Sequence, residues 1–244
     1  MAKTYGGAGD DLANCVRTTS DSGYVVAGST KSFGSGKEDM YVMKTDSSGN
    51  VIWTKAIGAA GIDIAYAVEQ TDDDNDGAKD DGYIVLGTDS LGTATKQDIY
   101  IVKLDANGTK VWSQTYGGSG TDAARMIRQT ADKGYIVAGW TNSSLPDYDI
   151  LVVKLDANGS ITWTRIIDAG TAGTGGNDYA YDVIQDNTGK YVVSGFAVNI
   201  GLSYIAKLSS LGQILWDKAF VFPYAFPCNA QVLSSVHQVS DGNY

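Results

Sequence analysis

Four segments of the chain repeat one phrase, and this repetition decides the fold. They read MYVMKTDSSGNVIW at 40–53, IYIVKLDANGTKVW at 99–112, ILVVKLDANGSITW at 150–163 and SYIAKLSSLGQILW at 203–216. In each segment an apolar run ends at a lysine, a polar and Gly-rich turn follows, and a tryptophan lies nine residues beyond the lysine. A run, a turn and a second run of this length are typical of a β-hairpin.

A second series of phrases precedes each of these hairpins. GYVVAG, GYIVLG, GYIVAG and KYVVSG each contain a tyrosine, and a Val or Ile recurs upstream of them. The tryptophans recur at intervals of 59, 51 and 53 residues, so one repeat has about 52 residues. The tyrosines of this series are Tyr24, Tyr83, Tyr135, Tyr191 and, as a fifth member, Tyr244.

The first repeat shows the four strands that we predict in each unit. Strand A covers 12–18, strand B 24–28, strand C 40–45 and strand D 51–57. Four antiparallel strands in a repeat without a helix are the signature of a propeller blade. We therefore predict an all-β fold, a β-propeller with four complete blades and a partial fifth.

These blades are predicted to form a single domain over residues 1–244, as a fragment of a longer chain. The repeat units are 7–57, 58–116, 117–167 and 168–220, with the partial unit at 221–244.

The composition agrees with this fold and excludes several functions. Of the 28 acidic residues only two are Glu, and there are 30 Gly, so turn-forming residues dominate over helix-forming ones. The formal net charge of −10 argues against a nucleic-acid partner. No apolar run of about 18 residues is present, so we expect no direct membrane insertion.

The phrases TYGGAGDD at 4–11, DMYVMKTDSSGNVIW at 39–53 and DIYIVKLDANGTKVW at 98–112 resemble the bacterial and archaeal secreted β-propeller repeat family. This resemblance covers nearly the whole chain. It implies a propeller fold and an extracellular or cell-surface location. Because most members of that family have no assigned activity, the resemblance implies no particular reaction.

An acidic loop interrupts the second repeat between strands A and B. It carries an insertion of seven residues and the pattern D-x-D-x-D-G-x-x-D, formed by Asp72, Asp74, Asp76 and Asp80. Clustered carboxylates are ligands that Ca²⁺ prefers, so we predict a structural calcium site. The loop also resembles the calcium loops of integrin-type propeller repeats, although Tyr83 stands where an EF-hand has its Glu. The alternative is an acidic, solvated turn.

Aspartates recur where strand A begins and, in a second series, where strand C begins. The strand-A series has two interpretations: a polar-ligand or cation site at the mouth of a central channel, or a cap on the preceding loop. We also predict that the recurring lysine of each blade forms a structural ion pair with one of the two aspartate series. The strand-A residues are Asp11, Asp63, Asp122 and Asp178. The strand-C residues are Asp39, Asp98 and Asp149, with Leu202 at this position in the fourth repeat. The lysines are Lys44, Lys103, Lys154 and Lys207.

The third B–C loop carries the aromatic residues that we consider the best candidates for an exposed binding pair, Trp140 and Tyr148. Exposed aromatic rings beside Asp and Asn suit a carbohydrate or a protein partner. The alternative is that both rings pack under their own loops.

The function that these features favour is a non-enzymatic, extracellular or cell-surface module for binding or structural assembly. Its expected partners are carbohydrates, other surface proteins or further copies of the chain itself. The alternative is a polysaccharide-acting propeller enzyme that uses aspartates at the channel mouth. His237 is the single histidine, which leaves one base for any His-dependent mechanism.

Overall fold

A computed structural model describes the structure of residues 2–74, 76–90, 97–143, 146–169, 176–198, 201–220, 234–240 and 242–244. The regular structure of these residues is entirely β, with 16 strands in four antiparallel sheets of four strands. None of the described segments forms a helix with the length and apolar character needed to cross a membrane.

The four sheets have the same simple topology, because strands that follow one another in the chain are also neighbours in the sheet. Blade one comprises β1 (Asp11–Thr18), β2 (Tyr24–Thr30), β3 (Asp39–Thr45) and β4 (Val51–Ile57). Blade two comprises β5 (Asp63–Thr71), β6 (Gly82–Asp89), β7 (Asp98–Asp105) and β8 (Lys110–Tyr116). Blade three comprises β9 (Asp122–Gln129), β10 (Tyr135–Thr141), β11 (Asp149–Leu155) and β12 (Ile161–Ile167). Blade four comprises β13 (Asp178–Gln185), β14 (Tyr191–Ala197), β15 (Leu202–Leu208) and β16 (Ile214–Phe220).

The observed strands confirm the predicted all-β fold of four-stranded blades. The predicted strand D of the first repeat coincides with β4, and the other three strands are one or two residues longer than predicted. Residues 221–233, which hold most of the predicted partial fifth unit, lie outside the described residues.

The chain divides into two compact units, Met1–Ala123 and Ala124–Tyr244. The first unit holds blades one and two, and the second holds blade four and nearly all of blade three. The prediction that residues 1–244 form one domain stays a prediction.

The core of each unit lies between its two blades, because the alternating apolar residues of one sheet face those of the next. In the first unit, Val25 and Met40 of blade one belong to the same buried cluster as Ala65 and Val85 of blade two. The equivalent cluster of the second unit joins Ile136, Ile150 and Val152 of blade three to Ala180 and Val193 of blade four. Burial of these side chains is the main source of stability for the blades.

Recurring aromatic residues link one repeat to the next. The ring of Trp53 meets the edge of Tyr83 with centroids 5.5 Å apart, and Trp163 contacts Tyr191 at 5.7 Å. Trp216 lies 6.5 Å from Tyr244, so the last residue of the chain takes the same place beside blade four. In these three places the recurring tryptophan of one repeat therefore contacts the recurring tyrosine of the next.

Candidate metal and ligand sites

Each recurring lysine lies at the end of strand C, where the pairing with strand D shifts by one residue. The lysine side chains are nearly buried, and each ammonium lies within 3 Å of a carboxylate of the A–B turn of its own blade. The pairs are Lys44–Asp21 at 2.8 Å, Lys103–Asp73 at 2.7 Å, Lys154–Asp132 at 2.9 Å and Lys207–Asp186 at 2.7 Å.

These pairs confirm a structural ion pair inside every blade but correct its partner. The prediction named the aspartates that begin strand A or strand C, whereas the observed partners belong to the A–B turn. The reason is geometric, because the end of strand C and the A–B turn lie at the same end of the sheet. The hydrogen bond from Lys44 holds the pKa of Asp21 at about 2.

The strand-A aspartates cap the loops that precede them. In every blade the Oδ2 atom accepts a hydrogen bond from a backbone N–H of the preceding loop at 2.7–2.8 Å, and the donor lies four residues earlier in the first three blades and nine residues earlier in blade four. The donors are Gly7, Ala59, Gly118 and Ala169, and the acceptors are Asp11, Asp63, Asp122 and Asp178. This confirms the capping interpretation, and a ligand role for the same residues stays a prediction.

The environments of these capping carboxylates nevertheless differ. Hydrogen bonds from Thr30, Gly7 and Ser32 lower the pKa of Asp11. By contrast, burial and the neighbouring acids Asp89 and Asp39 raise the pKa of Asp63 to about 6. A position that is equivalent in the sequence therefore differs in its chemistry from blade to blade.

The acidic loop of blade two brings three carboxylates together. One oxygen each from Asp72, Asp74 and Asp81 lie within 4.8 Å of one another. Asp81 is held in place because its Oδ2 accepts the backbone N–H groups of Asp73, at 2.5 Å, and Asp74, at 3.0 Å. These residues form a cluster that could hold a metal ion.

The structure brings together two of the four predicted ligands, and their role as ligands stays a prediction. Asp72 and Asp74 are in the cluster, while Asp81 is a member that the sequence pattern did not select. Asp76 accepts the N–H of Ala78 at 2.7 Å and is outside this cluster. Desolvation and the surrounding carboxylates, Asp76 first among them, raise the pKa of Asp80, which places its carboxylate within the same negative field.

A second cluster of carboxylates lies in the second unit, where blade three meets blade four. Asp149, Asp168 and Asp178 each offer one oxygen, and these oxygens lie within 4.8 Å of one another. Burial raises the pKa of Asp149 and Asp178 to about 6, and the negative charge of Asp168 adds to this effect at both. Sequence analysis placed Asp178 in the strand-A series and Asp149 in the strand-C series, but it missed Asp168.

The two candidate binding aromatics are half-buried rather than exposed, and Trp140 lies in β10 rather than in the predicted B–C loop, but the two rings share one neighbour. Trp140 meets Tyr179 edge to face with centroids 5.1 Å apart, and Tyr148 lies 5.9 Å from the same ring. The guanidinium of Arg125 lies over the Trp140 ring at 5.1 Å. The structure thus joins the predicted pair through Tyr179, a residue of β13 that the sequence analysis did not single out.

Within the part of the chain that the structure describes, the single histidine contacts a serine but does not complete a catalytic triad. Ser235 Oγ lies 3.1 Å from His237 Nε2, and the same hydroxyl donates to Asp182 at 3.2 Å. In a triad the carboxylate orients the histidine, whereas here it accepts from the serine. Asp182 also pairs with Arg128 at 3.2 Å, which is a structural contact between blades three and four.

Comparison with known proteins identifies the class of these blades. The family model described as a β-propeller domain of unknown function (DUF5122) matches residues 79–110, from the A–B loop of blade two to the start of β8. Together with the four meandering four-stranded sheets, this match shows that the chain consists of β-propeller repeats. No curated protein matches the chain significantly.

Several solved structures resemble the chain at low sequence identity. A protein of unknown function from Bacteroides caccae has 13% identity and a TM-score of 0.37, over 85% of this chain and 81% of that one. A candidate exo-β-1,3-galactanase from Bifidobacterium bifidum has 14% identity and a TM-score of 0.44, with coverages of 84% and 69%. The V. cholerae biofilm matrix protein Bap1 has 16% identity and a TM-score of 0.32, with coverages of 82% and 36%. At these values the named activities describe those proteins alone.

Proposed function

We propose that the chain is a non-enzymatic β-propeller module of the extracellular space or cell surface, with a structural calcium ion in the acidic loop of blade two. The observation that carries the calcium site is the convergence of Asp72, Asp74 and Asp81 within 4.8 Å. Carboxylate oxygens are hard ligands and favour Ca²⁺ over Zn²⁺.

The position of the loop supports a structural role for the ion. Asp73 lies between two of the ligands and forms an ion pair with Lys103, whose side chain is 6% exposed. The loop is therefore tied to the blade through a neighbouring residue, and calcium would offset the repulsion among the remaining carboxylates. We expect the ion to stabilise the A–B loop of blade two rather than to take part in a reaction.

The test is a calcium titration of the chelator-treated protein together with its melting temperature. Asp74→Asn removes one charged ligand, so we expect it to weaken calcium binding at the loop by about tenfold or more. Asp76→Asn is the matched control, since Asp76 is in the same loop but outside the three-carboxylate cluster. Equal calcium binding by the wild type and Asp74→Asn would contradict the proposal.

The aromatic cluster of Trp140, Tyr148 and Tyr179 supports carbohydrate as the first partner to test. The half-buried rings contact one another and the guanidinium of Arg125 lies over Trp140, so the cluster combines aromatic and polar groups, as sugar-binding sites do. On a glycan array, Trp140→Ala should lose the binding that the wild type shows. Phe33→Ala is the control, because Phe33 is exposed and belongs to the first unit.

The second candidate function is an enzyme that acts on polysaccharides through its aspartates. The observation that favours it is the pKa of about 6 at Asp178, which suits proton donation near neutral pH. Assays on plant and microbial polysaccharides with the wild type, Asp122→Asn and Asp178→Asn separate the two functions. Turnover that disappears in either variant would refute the non-enzymatic proposal.

A further inference from the structure

One position differs between the blades in a way that changes the chemistry of the adjacent carboxylates. The residue that directly follows strand D is Gly58 after β4, Gly117 after β8 and Asp168 after β12. In each case it lies beside the aspartate that begins strand C of its own blade and the one that begins strand A of the next repeat.

Blades one and two leave no room for a side chain at this position. A Cβ atom on Gly58 would lie 2.3 Å from Asp39 Oδ1 and 2.5 Å from Asp63 Oδ2. A Cβ atom on Gly117 would lie 2.1 Å from Asp98 Oδ1. Two carboxylates therefore meet beside a glycine in these blades, whereas blade three adds a third carboxylate from Asp168.

The three carboxylates of the second unit are close together and two of them are buried. Their nearest oxygens lie within 4.8 Å of one another, and the exposed fractions of Asp149 and Asp178 are 8% and 0%. Asp168 is exposed, so the cluster has access to solvent. Asp147 adds a fourth negative charge nearby, and its Oδ2 accepts the N–H of Gly176.

One oxygen of this cluster is buried without a hydrogen-bond partner among the described residues. Asp178 Oδ2 accepts the N–H of Ala169 at 2.7 Å, while Asp178 Oδ1 has no partner in the part of the chain that the structure describes. A buried carboxylate oxygen with no donor costs free energy, and the cost grows when other carboxylates are close. A water molecule would supply a donor but would leave the negative charges unbalanced.

We infer that Asp149, Asp168 and Asp178 bind a divalent cation that prefers oxygen ligands, such as Ca²⁺, where blade three meets blade four. The cation satisfies the buried oxygen of Asp178 and balances two of the negative charges. It also links β11 and the end of β12 in blade three to β13 in blade four. This site is separate from the acidic loop, which lies in the first unit.

The test compares calcium titrations of chelator-treated wild type, Asp168→Gly and Asp74→Asn. Asp168→Gly restores the residue that blades one and two carry at this position, so the fold accommodates it. We expect the wild type to bind two calcium ions and Asp168→Gly to lose one of them, or to bind it about tenfold or more weakly. Asp168→Asn provides the same loss of charge with nearly the same shape.

A second readout uses Asp178→Asn, in which the amide oxygen still accepts the N–H of Ala169. Without calcium this variant should melt higher than the wild type, because a buried charge and its repulsion are removed. With calcium it should show a smaller rise in melting temperature than the wild type shows.

The outcomes separate this site from the loop of blade two. Loss of one bound calcium ion in Asp168→Gly relative to the wild type supports the inference, whether or not Asp74→Asn shows that the loop of blade two also binds an ion. Calcium binding and melting shifts equal to the wild type in both Asp168→Gly and Asp168→Asn would overturn the inference. In that case the calcium site proposed in the loop of blade two is tested by Asp74→Asn alone.

Discussion

Lys103 and Asp73 form an ion pair in which Nζ lies 2.7 Å from Oδ2, and the lysine is buried while the aspartate is 40% exposed. The same ammonium also donates to Thr71 Oγ1 at 2.8 Å and to the carbonyl of Leu104 at 3.2 Å. The pair therefore ties the A–B loop to the end of strand C. Equivalent pairs occur in the other three blades, so this ion pair is a structural feature of every repeat rather than of one site.

The two partners of such a pair should not be equivalent in mutational experiments. In blade three, Lys154 is 4% exposed and Asp132 is 63% exposed. Removal of the carboxylate in Asp132→Asn leaves a buried ammonium without its counter-charge, so we expect a loss of about 2 to 3 kcal/mol of unfolding free energy. Lys154→Met keeps the apolar stem and leaves a solvated carboxylate, so its cost should be about 1 kcal/mol.

Urea denaturation of the two variants and of the double variant measures this asymmetry. The double variant should be more stable than Asp132→Asn alone, because the buried charge is then gone. If Lys154→Met destabilises the protein more than Asp132→Asn, the ammonium is not the group that the pair stabilises.

The second prediction concerns the stability cost of adding a side chain at Gly58, which lies between two carboxylates. A methyl group at Gly58 would contact Asp39 Oδ1 and Asp63 Oδ2 at less than 3 Å, and Asp63 is held by the N–H of Ala59. We expect Gly58→Ala to cost about 2 to 4 kcal/mol, because the two carboxylates must move apart from their donors.

Gly189→Ala is the control for this glycine. Its φ of +77° disfavours any side chain, but nothing lies within 4 Å of the added Cβ atom. Gly189→Ala should cost about 1 kcal/mol of unfolding free energy, because only the unfavourable positive φ of the alanine contributes. Thermal or urea unfolding that ranks Gly189→Ala as the more destabilising change would show that the close carboxylates yield easily.

Much of the fold could be predicted because its determinants are local. The apolar run, the turn and the tryptophan after Lys44 define a hairpin within one short segment, and the sequence repeats that segment. Which recurring residues meet could not be predicted in the same way. Asp21 and Asp132 each lie three residues before the recurring tyrosine, but the sequence does not show that their turn lies beside the end of strand C.

For the candidate sites, too, the sequence did not show which residues the fold would bring together. The acidic pattern identified Asp72 and Asp74, whereas Asp81 joins them because the loop folds back on itself. Asp168 was not predicted because it belongs to no motif of its own and replaces the glycine that follows strand D in blades one and two. Comparison of the residues that follow strand D, Gly58 and Gly117 against Asp168, is the signal that would have revealed it.

The pH dependence of stability offers a third prediction, centred on Asp63. Burial, then Asp89 and Asp39, raise the pKa of Asp63 to about 6, above its ordinary value of 3.8. The folded state therefore binds this proton more tightly than the unfolded state does. The contribution is fully stabilising below about pH 4, and it is lost as the pH rises through about 6.

Asp63→Asn removes this titration while its amide oxygen still accepts from Ala59. The variant should gain stability relative to the wild type by about 1 to 3 kcal/mol at pH 7.5, with a smaller difference at pH 4. Urea denaturation of both proteins across this pH range gives the comparison. A difference that is constant with pH would mean that Asp63 keeps an ordinary pKa in the folded protein.

The last prediction concerns the contact between successive repeats. Trp163 donates its indole N–H to the carbonyl of Ser210 at 3.0 Å and packs on Tyr191 at 5.7 Å, so one side chain joins blade three to the C–D turn and strand B of blade four. Trp163→Phe removes the hydrogen bond and part of the ring contact, and we expect a loss of about 1 to 2 kcal/mol. Trp163→Ala removes the contact altogether and should cost about 3 kcal/mol or more.

Because the core of the second unit is shared between these blades, both variants should still unfold in one cooperative step. Separate unfolding of blade four in Trp163→Ala would show instead that this ring, rather than the shared apolar core, couples the two blades.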